Sequence, residues 1–414
     1  MLARWLSLAA LLALAPGILG CGGVSASETT GNQLTVYSSL PLQGPSASIS
    51  QQIVGGEKLA LSHEGGHVGD FKISYVSLDD ANPVNGQVSP GESSTAAKLA
   101  AQDTTAIAYL GDFGSASTAI SLPIINEAGV LQVSPASPYV GLTSSLDAGQ
   151  DEPGRFYPTG KRNFARLQPG DPAQAAAQAR LMRSLGVSSV YVLDDQDPFE
   201  EPLATLVAGD AEQAGISVKG HDSLALPVGA NLTGEVEKIV QSKVQAVFLA
   251  AGGQGASATL WGLLHDADPH MLLLGSSSMV SESFTSQIAG AAAETYLTTP
   301  VLAADLYPAS GRAVLESYRR TFGRQAGPYA LYGYEAMSSV LEAIRRAGAR
   351  SNRRQAVIDS FFSIPAHDSV IGHYAIEADG ETTFAEYGVD RVRQGRPVFY
   401  RTIDTAGPLP AAHG

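Results

Sequence analysis

Short apolar runs alternate with segments whose apolar residues fall at helical spacing, and the alternation persists along most of the chain. The run 34–37 is followed by a helical pattern over 49–63, where Ile53, Leu59 and Ala60 recur near helical spacing. Residues 71–78 alternate as a strand and end in Asp79-Asp80, and 93–103 reads as a second helix. The run 107–110 breaks at Gly111-Asp112-Phe113-Gly114-Ser115. A helical segment then covers 116–128, and a further run, 130–133, ends in Ser134-Pro135-Ala136-Ser137. Strand, Gly/Ser turn, helix, strand, Ser turn is a βαβ unit with both turns at the carboxyl ends of adjacent parallel strands. That edge is where open α/β sheets take their ligands. Ser115 there either caps its helix or offers a hydroxyl, beside free N–H groups, to a negatively charged group.

A polar, Gly- and Pro-bearing stretch, 144–162, predicts a surface excursion, and the alternation restarts at Gln168-Pro169-Gly170-Asp171. Helices are expected over 173–185, 202–214, 232–242 and 257–267. Strands are expected over 189–193, 216–220, 244–250 and 271–274, the first ending in Asp194-Asp195 and the last in Gly275-Ser276-Ser277-Ser278. Past 296–302 come helices over 310–322, 329–347 and 353–364, then a hairpin-like pair around 377–380. Strand–helix repetition of this kind is the doubly wound α/β signature. The second series is not detectably a sequence repeat of the first.

The 414 residues, 44% of them hydrophobic, suffice for two domains with large cores. A net charge of −14 argues against nucleic-acid binding through a basic surface. The single cysteine, Cys21, rules out a disulfide framework or a Cys-based zinc site within one chain. Arg4 and the apolar stretch 6–18 form a secretory signal that ends in Ile18-Leu19-Gly20-Cys21, similar to a bacterial lipoprotein cleavage box. Residues 1–20 are thus expected to be a signal peptide and Cys21 a lipidated first residue. Residues 21–33 would follow as a flexible Gly/Ser/Thr tether.

Other motifs weigh less. His63-Glu64-Gly65-Gly66-His67 spells the H-E-x-x-H zinc pattern, but two glycines inside it suit a helix stop better than a helix. Gly253-Gln254-Gly255-Ala256-Ser257-Ala258 has the dinucleotide spacing, yet no carboxylate ends the next strand to hold a ribose. A glycine turn that lets the backbone approach a ligand or the facing lobe fits better. The pairs Asp79-Asp80 and Asp194-Asp195 read as solvated turn residues before acid/base groups. No cofactor and no metal site is expected. Tyr329, Tyr332 and Tyr334 read mainly as core.

With the whole order laid out, the chain resembles the leucine/isoleucine/valine-binding proteins, the type I periplasmic-binding fold of amino-acid ABC importers, over residues 34–392. The resemblance is carried by Pro41-Leu42-Gln43-Gly44-Pro45, Gly55-Gly56-Glu57, Leu78-Asp79-Asp80-Ala81, Gly111 through Thr118, Asn126 through Val130, Val133 through Ser137, and Tyr332-Gly333-Tyr334-Glu335-Ala336. It implies an α/β fold of two doubly wound Rossmann-like lobes joined by three crossovers and closing on a ligand. Lobe 1 would take 34–170 plus 300–387, lobe 2 would take 171–299 plus 388–405, and 406–414 would be a disordered tail.

The resemblance places a ligand carboxylate on Ser115, Ala136 and Ser137, in the turns that also hold Asp112 and Phe113. A threonine of the family falls on Pro138, which has neither hydroxyl nor N–H. From the second lobe a tyrosine falls on Phe199 and another aromatic on Gly252. The acid that pairs with a ligand ammonium falls on Ser277. A buried ammonium without a carboxylate is costly, so the expected ligand is a small polar or acidic solute without a free α-amine, such as an amide, a carboxylate or an aromatic acid, unless Asp112 or Asp195 supplies the charge. The chain is then expected to be a monomeric, lipid-anchored extracytoplasmic binding protein, without enzymatic activity, partnered by ABC permease subunits. A binding domain of a membrane sensor is the alternative, and a hydrolase built on Ser115 or Ser277 a third.

Overall fold

The computed structural model describes residues 27–409 apart from 85, 147 and 254. The signal peptide, Cys21, the first half of the tether and residues 410–414 lie outside the described residues. In chain order the first lobe opens with β1 (Gln33–Leu40), α1 (Ala47–His63), β2 (His67–Val68), β3 (Phe71–Asp79), α2 (Pro90–Gln102), β4 (Ala106–Gly111), α3 (Ser115–Glu127), β5 (Leu131–Ser134) and β6 (Phe164–Arg166). The chain then crosses to the second lobe. There it forms α4 (Asp171–Ser184), β7 (Ser189–Asp194), α5 (Glu201–Gln213), β8 (Ser217–Ser223), α6 (Thr233–Gln241), β9 (Ala246–Ala250), α7 (Ser257–Ala267), β10 (Leu272–Gly275), α8 (Glu282–Thr285) and β11 (Thr295–Thr299). It returns to the first lobe for α9 (Ala309–Phe322), α10 (Tyr329–Ala347), α11 (Arg354–Phe362), β12 (His367–Asp368) and β13 (His373–Tyr374). A third crossing adds β14 (Glu386–Arg393) and β15 (Arg396–Asp404) to the second sheet.

The front sheet runs β2-β3-β1-β4-β5-β6 and the back sheet β15-β14-β11-β10-β9-β7-β8. From β3 to β6 the front pairs are parallel, as are the back pairs from β11 to β8. Strand order reverses beside β1 in the front sheet and beside β7 in the back. The turns after β1, β4, β7 and β9 therefore stand at the two switch points, where α/β sheets leave a crevice. β4, β5, β7 and β9 are buried end to end, as strands covered on both faces must be.

The front core joins β1, β4 and β5 to α10 and α11. α1 and α10 cross at near-contact distance. A Cβ on Gly56 would stand 2.0 Å from the Ala330 carbonyl oxygen, and one on Gly333 would stand 2.1 Å from that of Ile53. Hence glycine at both positions.

Several boundaries differ from the sequence reading. The tether is not free from residue 27 onward: Thr29 N–H donates to the Asn352 carbonyl at 2.6 Å and Arg353 pairs with Glu28 at 2.9 Å. The stretch 144–162 is no mere surface excursion, because Phe156 and Tyr157 are buried against Tyr139, Leu142 and Phe164. A small turn does exist at 377–381, but the main hairpin is β14–β15. Its turn, Gln394-Gly395, takes left-handed φ at both residues (51° and 74°), a conformation that Gln-Gly does not advertise as Asn-Gly would. The expected disordered tail is held as far as residue 408, where Arg180 donates to the carbonyls of Ala406, Gly407 and Pro408.

Candidate functional site

In the front lobe the turn after β4 is a closed polar knot. Asp112 is fully buried. Its carboxylate accepts from Tyr109 at 3.0 Å and from Ser121, and its carbonyl accepts from the hydroxyls of Ser134 (2.8 Å) and Ser137 (3.1 Å). Burial first, and then the neighbouring charge of Asp80, push the Asp112 carboxyl up to about 8. Burial followed by Asp79 lifts Asp80 to about 6. The Asp112 side chain is thus bonded within its own lobe. The N–H groups of Ala136 and Ser137 both donate to Ser134 Oγ, at 3.1 and 3.0 Å, and Ser137 Oγ also pairs with Thr118 Oγ1 at 2.6 Å. The donors that the resemblance assigned to a ligand carboxylate are thus spent inside the lobe.

Ser115 is different. The N-cap of α3 is Gly114 and no side chain caps the helix, so the capping alternative for Ser115 falls. Its Oγ accepts the Tyr139 N–H at 3.2 Å and keeps its own O–H to donate. The first N–H groups of α3 have no intrahelical acceptor. Phe113 leans edge-on against Tyr329, centroids 6.1 Å apart, and both rings pack on the buried cluster of Leu40, Ile53 and Val54.

The back lobe answers across the gap. Phe199 sits in the turn after β7, and its ring meets Tyr139 of the front lobe edge-on, 5.1 Å between centroids at 88°. Gly252 is exposed, and its N–H donates to Asp195 Oδ2 at 2.9 Å. Asp195 Oδ1 takes the Asp197 N–H at 3.2 Å, so Asp195 braces a loop. Ser277 is half-buried and engages the phenol of Tyr387, which donates to Gln174 Oε1 at 3.0 Å.

At the first crossing Asp171 accepts the Val140 N–H at 3.3 Å. Arg166, fully buried, donates to the carbonyls of Ser137 (2.5 Å) and Tyr139 (2.9 Å) and pairs with Glu381 at 2.8 Å. Sequence reasoning missed Glu200, Asp171, Tyr387 and Arg166. Only Glu200 left a signal, as the residue directly after Phe199.

The tempting motifs resolve structurally. α1 ends at His63, and Gly65 and Gly66 turn the chain at φ 75° and 74°. Glu64 pairs with Arg345 at 2.7 Å, and His63 meets the Tyr334 hydroxyl at 3.1 Å. The glycine turn after β9 approaches its own lobe, since a Cβ on Gly255 would lie 2.1 Å from the Leu226 carbonyl oxygen. Asp79 accepts from the N–H groups of Leu42 and Ala81, at 2.9 and 3.0 Å, and so ties down the turn after β1.

Two doubly wound lobes, crossed three times by the chain and facing each other through their strand-end turns, define a solute-binding protein of the clamshell kind. The chain belongs to the periplasmic binding protein family, whose model matches residues 38–396; members of that family are extracytoplasmic. An amino acid binding protein of Pseudomonas aeruginosa is 24% identical over 331 residues, covering 76% of this chain and 79% of its own. Among solved structures, a leucine-binding protein of Thermotoga maritima superposes with a TM-score of 0.73 at 19% identity, covering 90% of this chain and 99% of its own. A Rhodopseudomonas palustris ABC-transporter solute-binding protein, solved with p-hydroxybenzoic acid, gives 0.71 at 15% identity over 90% and 97%.

Proposed function

We propose that this chain is the solute-binding lipoprotein of a branched-chain-amino-acid-type ABC importer, held to the membrane through an acylated Cys21. It binds a small polar solute by closing its lobes and performs no chemistry on it. The observation that carries this reading is the convergence of both switch-point turns on one segment. Tyr139 receives Ser115 from its own lobe through its N–H and Phe199 from the other lobe through its ring. A solute seated beside that segment touches both lobes only when they are shut, which gives the closed state its extra affinity. The relatives bound to amino acids and aromatic acids support the size and polarity of such a solute.

A thermal-shift panel of amino acids, amides and organic acids tests the reading, because a ligand of the folded state raises the midpoint. Fractionation tests the anchor. The native protein is expected with membranes and the Cys21→Ala variant in the soluble fraction; equal partitioning of the two would remove the lipoprotein claim.

A further inference from the structure

The back lobe holds a carboxylate, that of Glu200, with one buried oxygen that no hydrogen bond satisfies among the described residues, the hydroxyls of Ser278 and Ser276 being the groups near enough to favour its ionised form. Glu200 occupies the N-cap position of α5, yet its side chain caps nothing. Its N–H donates to the Asp197 carbonyl at 3.0 Å. Its Oε2 is sealed from solvent and accepts no hydrogen bond among the described residues. Around it lie Ser276 and Ser278 from the turn after β10, and Asp195 and Asp197 from its own loop. From the start of α4, Asp171, itself fully buried, meets the charge of Glu200. The guanidinium of Arg166, which lies near Asp171, is engaged with Glu381 and two carbonyls. Asp195 is satisfied by two backbone N–H groups, whereas Glu200 has no such donors. A buried carboxylate without a cation is costly, and burial, reinforced by Asp195 and Asp197, holds the Glu200 carboxyl up at about 7.

We infer that Glu200 is the specificity-determining residue of the cleft, selecting a small ligand with a protonated amine whose acceptor end meets Ser115 and the amino end of α3. The inference rests on the cleft being a solute site. It reverses the expectation of an amine-free ligand drawn from Ser277, because the missing charge is supplied one residue past Phe199 and not from the turn after β10. Glu200 faces Asp195 and Asp197 on its own loop, Asp171 on α4, and only hydroxyls from the turn after β10. The charged groups that face Glu200 itself are all acids, and none of the described cations pairs with it, so a ligand ammonium would be its counter-ion. A bound ammonium favours ionised Glu200, so binding releases a proton and tightens as pH rises toward 8.

Calorimetry on the full chain tests this with pairs that differ only in the amine: leucine against 4-methylpentanoate, phenylalanine against 3-phenylpropanoate, and leucinamide. The amine-bearing member is expected to bind at least about 30-fold tighter, and to weaken as pH falls from 8 to 5.5. Glu200→Gln should erase both the preference and the pH dependence while leaving the melting midpoint near native, and Glu200→Asp should retain part of each. Equal or tighter binding of the deaminated members, or an unchanged preference in Glu200→Gln, overturns the assignment. If none of these probes binds, a wider thermal-shift panel separates the remaining outcomes. Hits confined to amine-free acids overturn the assignment and spare the solute site, and no hit of any kind sinks both.

Discussion

The two switch-point turns do opposite things with their polar groups. In the turn after β4, Asp112, Ser134, Ser137, Thr118 and Ser121 bond one another, and the Ser115 hydroxyl and the amino end of α3 stay available, while Asp80 and Gln132 beneath the turn keep buried oxygens without a partner among the described residues. In the back lobe, Asp195 braces its loop and Ser276 bonds the Ala251 backbone, but Glu200 Oε2 has no hydrogen-bond partner among the described residues. A saturated turn is a rigid platform, since buried polar networks specify one arrangement when every member is satisfied. An unsaturated one is where discrimination can reside, because its groups gain partners only from what binds. Recognition in this molecule is therefore divided: the front lobe positions and the back lobe selects.

The sharpest way to break the contrast is to cut the front platform. Arg166 is buried and holds the carbonyls of Ser137 and Tyr139 as well as Glu381. Arg166→Met fills the space but leaves a carboxylate and two carbonyls without their donor, and should cost about 3–5 kcal/mol of stability in urea denaturation. Near-native stability would show that the hydroxyl network holds the turn unaided.

A second cut tests the protons inside the platform. Burial, reinforced by neighbouring carboxylates, holds the carboxyls of Asp112 and Asp80 well above the ordinary aspartate value, so the folded state holds protons that the unfolded chain has lost. Their contribution is complete below about pH 4 and disappears as pH rises through 6 and then 8. Asp112→Asn keeps an acceptor for Tyr109 and cannot ionise. It should remove about 2 kcal/mol of the decline in stability between pH 5 and pH 8. Parallel wild-type and variant curves over that range would mean that the pair stays ionised in the fold.

The division also explains what could be read from the chain. Fold and switch points were legible, because β4, β5 and β7 are largely apolar runs that end in Gly, Ser or Asp and β9 is one that reaches Gly252 two residues on, and that pattern survives any detail of packing. The direction in which each turn residue points was not. Ser137 and Ala136 sit where the resemblance put them, yet Ser134, two and three residues upstream, takes their N–H groups. Arg166 and Glu381 lie 215 residues apart in the chain, so no local spacing announces them. Glu200 escaped because the missing acid was sought at Ser277, where the family carries it, with Asp112 and Asp195 as the substitutes weighed.

Sharper probes of the comparison have smaller effects. Ser115 keeps one hydroxyl donor beside α3, so Ser115→Ala should weaken ligand binding about tenfold, the worth of one hydrogen bond to a polar ligand, and cost about 1 kcal/mol of stability as the Tyr139 N–H loses its acceptor. Unchanged affinity by calorimetry would remove the front lobe's last direct contact.

The smallest effect belongs to the contact between lobes. The edge-on meeting of Phe199 with Tyr139 exists only while the back turn lies against the front platform, and such aromatic pairs are worth about 0.5–1.5 kcal/mol beyond area. Phe199→Leu preserves apolar bulk and removes the ring geometry, so it should shift the lobes toward the open state and weaken every ligand by the same two- to tenfold factor. Glu200→Gln should instead alter the ratio between amine-bearing and deaminated ligands. If Phe199→Leu changed that ratio as well, positioning and selection would be properties of one turn, and the division between lobes would fail.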